Sequence, residues 1–391
     1  MPDPVWATVA MLPVAAWLGW LLAMRRRQTE GRRRRNAISS EYFRGLNYLL
    51  NEQPDRAIEV FLELADVNEQ TVETHLALGS LFRRRGEVDK AIHYHRHIMT
   101  RPDLTEQHRT QALLELGEDY MRAGLLDRAE KLFSDLAAEG RQSETAVRNL
   151  LTIYQQEKDW KNAILQARAL ERITGEDTAP LIAQFHCELA AAELAAGRPE
   201  HVAQHLQSAR ARRSDCARAD LIEAEAAVAC EQWREAAGAY LRACRRDPEL
   251  AAIAVEPLLE CYRRLDEPPE LLAELESLAA GGGSITALLA LAELRAAAGE
   301  PSRAIDELLA ALQQRPTVRG LYRLLDLMRE HDRSLDALDS EPVRALMKRL
   351  LSDRPRFRCR ECGFGGSTWH WQCPSCRRWE TTRPVTGVLG S

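Results

Sequence analysis

The chain has 391 residues, of which 28% are charged, with a formal net charge of −5 and nine cysteines. The seven arginines between residues 25 and 35, set against Glu30, carry a net +6, so the rest of the chain holds about −11. A body of that sign is a poor generic partner for nucleic acid, whose affinity rests on neutralising phosphates. Five of the cysteines (Cys187, Cys216, Cys230, Cys244 and Cys261) are scattered through helical sequence without pairing motifs. They fit a reducing compartment and read as small core residues.

The first predicted element runs from Val5 to Met24, twenty apolar residues without a charge. At about 1.5 Å each they span a hydrocarbon core of roughly 30 Å. Pro13 is tolerable inside such a helix. Arg25, Arg26, Arg27, Arg32, Arg33, Arg34 and Arg35 follow directly, and positive charge on that flank keeps it cytoplasmic. A cleaved leader carries its positive charge before the apolar run, where this chain has only Asp3. Residues 1–24 are therefore expected to be a signal-anchor with its N-terminus outside, and 25–37 a basic juxtamembrane linker able to meet anionic headgroups.

Residues 38–353 read as a helical repeat array of about eight units and a cap. A small or apolar residue recurs every 33–39 positions, at Ala57, Ala91, Ala129, Ala163, Val202, Ala236, Leu271 and Ala304. Four residues later come Phe61, Phe133, Tyr240 and Leu308. Earlier in the units stand Gly45 with Tyr48, Leu78-Gly79 with Phe82, and Leu116-Gly117 with Tyr120. The pattern resembles the tetratricopeptide repeat, in which small residues let two antiparallel helices approach and aromatics plug the next unit. Pro199, Pro268, Pro269 and Pro301 fall near inter-helix turns, where breaking a helix is harmless. After residue 317 the pattern loosens into a terminal cap.

The first helices of such an array line a concave face that takes an extended peptide or a partner's helix. Counted from the alanine positions, Arg83, Arg84, Glu118, Arg122, Arg148 and Gln155 are expected to point into it. His93, His95 and His97 alternate along one helix, fan over different faces, and do not read as a metal site.

Residues 354–391 form the last element. Cys359-Arg360-Glu361-Cys362 is followed, ten residues on, by Cys373-Pro374-Ser375-Cys376. Two C-x-x-C pairs this close are a four-thiolate metal site with no open coordination position, so the ion is structural or one-electron redox. Iron and zinc both accept that shell. Gly363 follows the first pair, where the turn needs a positive φ, while Arg377 holds the equivalent place after the second. So small a segment needs the metal's binding energy to fold. Phe357, Phe364, Trp369, Trp371 and Trp379 either shield the sulfurs in a mini-core or dock on the repeats. His370 lies between the pairs, but four cysteines already complete the shell.

No nucleophile elbow, phosphate-binding glycine loop or zincin motif occurs, so the chain does not read as an enzyme, and no small-molecule substrate is expected. The order of anchor, arginine stretch, repeats and knuckle pair resembles the lipopolysaccharide assembly protein B family. The likeness is carried by Leu76 to Arg83 with Arg85 to Ile92, by Gly117 to Met121 with Ala123 to Glu130, and by Cys359 to Phe364 with Cys373 to Arg377. The resemblance implies an all-α tetratricopeptide superhelix with a rubredoxin-like metal domain, held on the cytoplasmic side of a Gram-negative inner membrane. It also implies a regulatory role. Family members promote degradation of the deacetylase that commits precursor to lipid A, by the membrane-anchored AAA+ protease FtsH, and gather other lipopolysaccharide assembly proteins. Two other readings stay open: electron transfer through an iron centre, and a nucleic-acid ribbon built on the arginines of the tail. Docking of that basic tail on the acidic repeats explains those arginines better.

Overall fold

The computed structural model describes residues 72–331, except 103, 141–142, 266–267 and 281–283, and residues 354–386; elsewhere it describes only positions 44, 47, 48, 56, 60 and 348. The expected anchor and linker lie outside the described residues, as do Gly45, Ala57 and Phe61. Among the described residues no helix is long and apolar enough to cross a membrane. The chain divides into two compact units, Met1–Glu157 and Lys158–Ser391.

The first unit holds α1 (Val72–Arg84), α2 (Val88–Met99), α3 (Glu106–Arg122), α4 (Leu126–Ala138) and α5 (Ser143–Glu157). The second holds α6 (Trp160–Thr174), α7 (Ala179–Ala195), α8 (Pro199–Arg212), α9 (Ala217–Ala229), α10 (Trp233–Arg246), a 3₁₀ turn at Pro248–Leu250, α11 (Ala251–Leu265), α12 (Pro268–Ala279), α13 (Ile285–Ala297), α14 (Pro301–Gln314) and α15 (Val318–Glu330). Three of the prolines expected at turns open helices, where the missing N–H has no intrahelical partner to lose.

Each described alanine-like position is the fourth residue of an even-numbered helix, and all seven are buried: Ala91, Ala129, Ala163, Val202, Ala236, Leu271 and Ala304. Phe133, Tyr240 and Leu308, one turn on, are buried too. The small residues of the odd helices explain why the backbones come close. Gly79 lies against the ring of His95, and Gly117 against that of Phe133, so a Cβ at either position would overlap the ring. Thr105 caps α3, accepting from the His108 N–H at 3.3 Å. Thr317 does the same for α15 through Gly320 at 3.0 Å. The amphipathic α15 closes the repeat series by laying Leu324 and Leu327 on Ala304, Ile305 and Leu308 of α14.

The second unit also contains the C-terminal knuckle. Its strands are β1 (Phe357–Cys359), β2 (Gly365–Gly366) and β3 (Thr382–Pro384), antiparallel in the order β2-β1-β3. Phe357 pairs with both Gly366 and Pro384, and Cys359 with Thr382.

Candidate functional site

The two C-x-x-C segments fold into matching knuckles. The Gly363 N–H donates to the Cys359 carbonyl at 3.0 Å, and the Arg377 N–H donates to the Cys373 carbonyl at 2.9 Å. Gly363 has φ 78° and Arg377 has φ 59°. The second knuckle thus makes the same left-handed turn as the first without a glycine, at a cost of about 1–2 kcal/mol.

The turns aim all four sulfurs at one point. Sγ of Cys359 lies 3.7 Å from that of Cys376, and Sγ of Cys362 lies 3.6 Å from that of Cys373. All four sulfurs are within 4.8 Å of one another. A tetrahedral ion with bonds of about 2.3 Å requires sulfur–sulfur edges of roughly 3.8 Å, so the donor set fits such an ion. His370 is not part of the set; its ring sits 6.2 Å from that of Phe364. Burial opposes ionisation of Cys359, but the Thr381 hydroxyl at 3.2 Å and the amides of Cys362 and Glu361 outweigh it and bring the thiol down to about 6. Cys376 moves the other way, to about 11: the Arg378 amide favours its thiolate, but burial and the neighbouring thiols oppose it. Four thiolates this close repel one another, and a bound cation removes that penalty.

The knuckle is seated on the helices of its own unit. Trp379 meets Trp160 and Phe185 edge-on, with centroids 6.0 and 5.9 Å apart. The guanidinium of Arg218, 5% exposed, lies 5.0 Å from the Trp371 ring and 5.7 Å from that of Trp379. The same guanidinium donates to Gln184 at 3.0 Å and to Glu188 at 2.7 Å. Glu380 accepts from Gln184 at 3.0 Å and from Arg213 at 2.5 Å. Arg360 reaches Glu249 at 2.6 Å, and Arg383 reaches Asp247. Of the five aromatics, Phe357 packs on Trp369 inside the knuckle, whereas Trp369, Trp371 and Trp379 contact the repeats. Phe364 is exposed. The tail arginines do meet repeat carboxylates, but Arg213 and Glu380 pair in the opposite sense. Sequence reading missed Arg218, Gln184 and Trp160. One signal was present: an arginine in the first turn of an alanine-rich helix, where it opposes the helix dipole and needs another reason to be there.

The six residues expected on a concave face are distributed as follows, all within the first unit. Arg83, Arg84, Glu118 and Arg122 border one open depression of about 560 Å³, with Met121, Asn149 and Gln156 completing its wall. Arg148 and Gln155 are not in that wall: Arg148 pairs with Glu144 at 3.0 Å, and Gln155 donates to the Leu151 carbonyl at 3.3 Å, both along their own helix. Their successors Asn149 and Gln156 face the depression instead. Arg83 is not a free surface charge. It binds Asp119 at 2.7 Å, Glu115 at 2.8 Å and Glu118 at 2.7 Å, tying α1 to α3. Buried His95 shares Asp119 at 2.5 Å, and Ser80 donates to Glu115 at 2.7 Å. Burial opposes the charge on Glu115, but Ser80 and Arg83 hold its carboxyl below the ordinary range. Glu118 is pushed up, chiefly by burial.

With this geometry in hand, the relatives are informative. The rubredoxin metal binding domain matches residues 357–384, and the tetratricopeptide repeat matches residues 44–96. Lipopolysaccharide assembly protein B of Escherichia coli K12 is 34% identical over 381 residues, covering 97% of this chain and 98% of its own. The Haemophilus influenzae protein of that name is 30% identical over 395 residues, covering 96% and 97%.

Proposed function

Because the chain belongs to the lipopolysaccharide assembly protein B family, we propose that it is a non-enzymatic adaptor that holds lipopolysaccharide-pathway proteins at the inner membrane. In this reading residues 1–24 anchor the chain and the repeats and knuckle face the cytoplasm. The repeats recruit the deacetylase that commits precursor to lipid A and present it to the protease FtsH. Confining client and protease to one membrane raises their effective concentration without any new contact. The observation that carries the reading is the near full-length match to two relatives that share this name. Met121, Asn149 and the four predicted residues around the depression supply a client surface.

The metal, iron or zinc, would be held by Cys359, Cys362, Cys373 and Cys376 and would cross-link the two knuckles. Everything else about the knuckle is done by the chain's own side chains: Trp371, Trp379 and Glu380 fix it to α7 and α9. A nucleic-acid role is disfavoured because Arg360 and Arg383 already bind Glu249 and Asp247.

The test is complementation of a strain lacking the gene. The full chain, and a chain with residues 1–24 replaced by an unrelated single-pass helix, should restore both lipopolysaccharide level and the deacetylase half-life. Residues 25–391 alone should fold yet fail. An unchanged half-life in the strain lacking the gene would remove the adaptor role, and full activity of the soluble version would remove the co-localisation step.

A further inference from the structure

Two thiols meet beside the seat of the knuckle. Sγ of Cys187 on α7 lies 3.8 Å from Sγ of Cys216, the residue that precedes α9. Both are buried core residues, in a cluster with small neighbours such as Ala183, Ala209 and Ala219. A disulfide needs the two sulfurs to close by roughly 1.7 Å. Cys187 is fixed in mid-helix, but Cys216 has extended backbone in the turn between α8 and α9, where such a movement is absorbed. The pair is asymmetric. The Cys187 thiol donates to the Cys216 sulfur and brings that thiol down to about 7 against burial, with help from the Ala219 amide. The same contact, with burial, pushes the Cys187 thiol up. A thiolate touching a second thiol is the arrangement in which oxidation of the first ends in a disulfide. Burial keeps such a pair inert, and the knuckle closes over the segments that carry it. Gln184, three residues before Cys187, and Arg213, three before Cys216, both donate to Glu380, at 3.0 and 2.5 Å. Arg218, two residues after Cys216, lies against Trp371 and Trp379.

We propose that Cys187 and Cys216 form a redox site, a dithiol that a peroxide converts to a disulfide when the knuckle lifts from its seat. The Cys216 thiolate attacks one peroxide oxygen; the O–O bond breaks and hydroxide leaves, giving a sulfenic acid. The Cys187 thiol then attacks the sulfenic sulfur. The S–S bond forms, the S–O bond breaks, and the hydroxyl leaves with the Cys187 proton as water. The proton first lost by Cys216 neutralises the hydroxide. Two thiols thus give up two electrons, and one peroxide becomes two waters. While the knuckle is seated the pair stays reduced. Once it lifts, the disulfide closes a loop from α7 through α8 to the start of α9 and records the lost seat as a covalent cross-link. This chemistry needs no client and stands whether or not the chain is an adaptor.

The test uses the full chain with its metal in detergent micelles, first reduced and then exposed to hydrogen peroxide. Free thiols are alkylated and the chain is digested with trypsin. Trypsin cuts between the two cysteines at Arg210, Arg212 and Arg213, so only a disulfide keeps their peptides together. The joined peptide should appear in single chains, vanish with dithiothreitol, and be absent from Cys187→Ala and from Cys216→Ala. Cys244→Ala, which removes a buried thiol elsewhere, should form it at the wild-type rate. Trp379→Ala and the milder Glu380→Gln should form it about tenfold faster or more, with helical circular dichroism retained, because the rate follows the population of the open form. No joined peptide in any of these chains, a joined peptide confined to chain dimers, or equal rates in wild type and both knuckle variants overturns the proposal.

Discussion

Arg218→Ala should release the knuckle from the repeats while leaving its metal in place. The guanidinium is 5% exposed and serves four neighbours at once: Glu188, Gln184 and the rings of Trp371 and Trp379. Breaking a buried ion pair by removing one partner costs about 3–5 kcal/mol, because the other charge loses its compensation. Glu188 is 26% exposed and so recovers part of its hydration, which puts the expected loss at the lower end. The two ring contacts add about 0.5–1 kcal/mol each at the exposed end of the range and more where they are desolvated. A net loss of about 4 kcal/mol raises the undocked population roughly 1,000-fold. Hydrogen–deuterium exchange should accelerate over 371–384 and over 180–188, where the knuckle covers α7, and stay unchanged in α13–α15. Metal content should remain near one ion per chain, since Arg218 touches no sulfur. Arg218→Lys should rescue little, because an ammonium keeps the charge but loses the planar fork and the stacking. Wild-type exchange rates in both segments of Arg218→Ala would refute the docking role.

Cys373→Ser should lose the ion and the protease resistance of residues 354–386 while helical circular dichroism persists, because repeat stability is a nearest-neighbour sum. Gly117→Ala places a methyl inside the ring of Phe133 and should cost about 1–3 kcal/mol in chemical denaturation; adding Phe133→Leu should recover part of it, and additive losses would count against that contact. Arg83→Ala leaves fully buried Asp119 with His95 alone and should destabilise by about 2 kcal/mol or more at neutral pH. Glu115 is held below its ordinary range, so its contribution is present at neutral pH and fades as pH falls through that lowered value. The gap between wild type and Arg83→Ala should therefore narrow in acid, and a constant gap would argue against the Glu115 pairing.

What could be read from the sequence was local. The alanine-like positions repeat at helical spacing and their burial follows from backbone approach alone, so Ala91 through Ala304 were legible without coordinates. The four cysteines were legible for the same reason: C-x-x-C specifies its own turn, and the Arg377 knuckle needed only to tolerate φ 59°. The concave face was half legible. Arg83 and Arg84 are adjacent in sequence, but one is locked to Glu115, Glu118 and Asp119 some 32–36 residues away, and the other has no partner among the described residues. Periodicity gives the direction of a side chain and says nothing about which partner claims it. On α5 the count fell one residue short, naming Arg148 and Gln155 where Asn149 and Gln156 face the depression.

The seat of the knuckle was legible only as a sign of charge and as aromatics with two possible places to go. Its contacts join Trp160 to Trp379 and Gln184 to Glu380, pairs roughly 200 residues apart, and no repeat pattern encodes them. They nevertheless bear on why the metal is there. Trp371, Trp379 and Glu380 all lie within seven residues of Cys373 or Cys376, so their positions follow from the turn that the ion closes. Each docks against a side chain from α6, α7, α8 or α9. Loss of the ion should therefore unseat the three together and uncover Trp160, Phe185 and Arg218, an apolar surface with a desolvated cation at its centre. By this route a structural ion in the tail bears on the surface of repeats that no cysteine ligand touches.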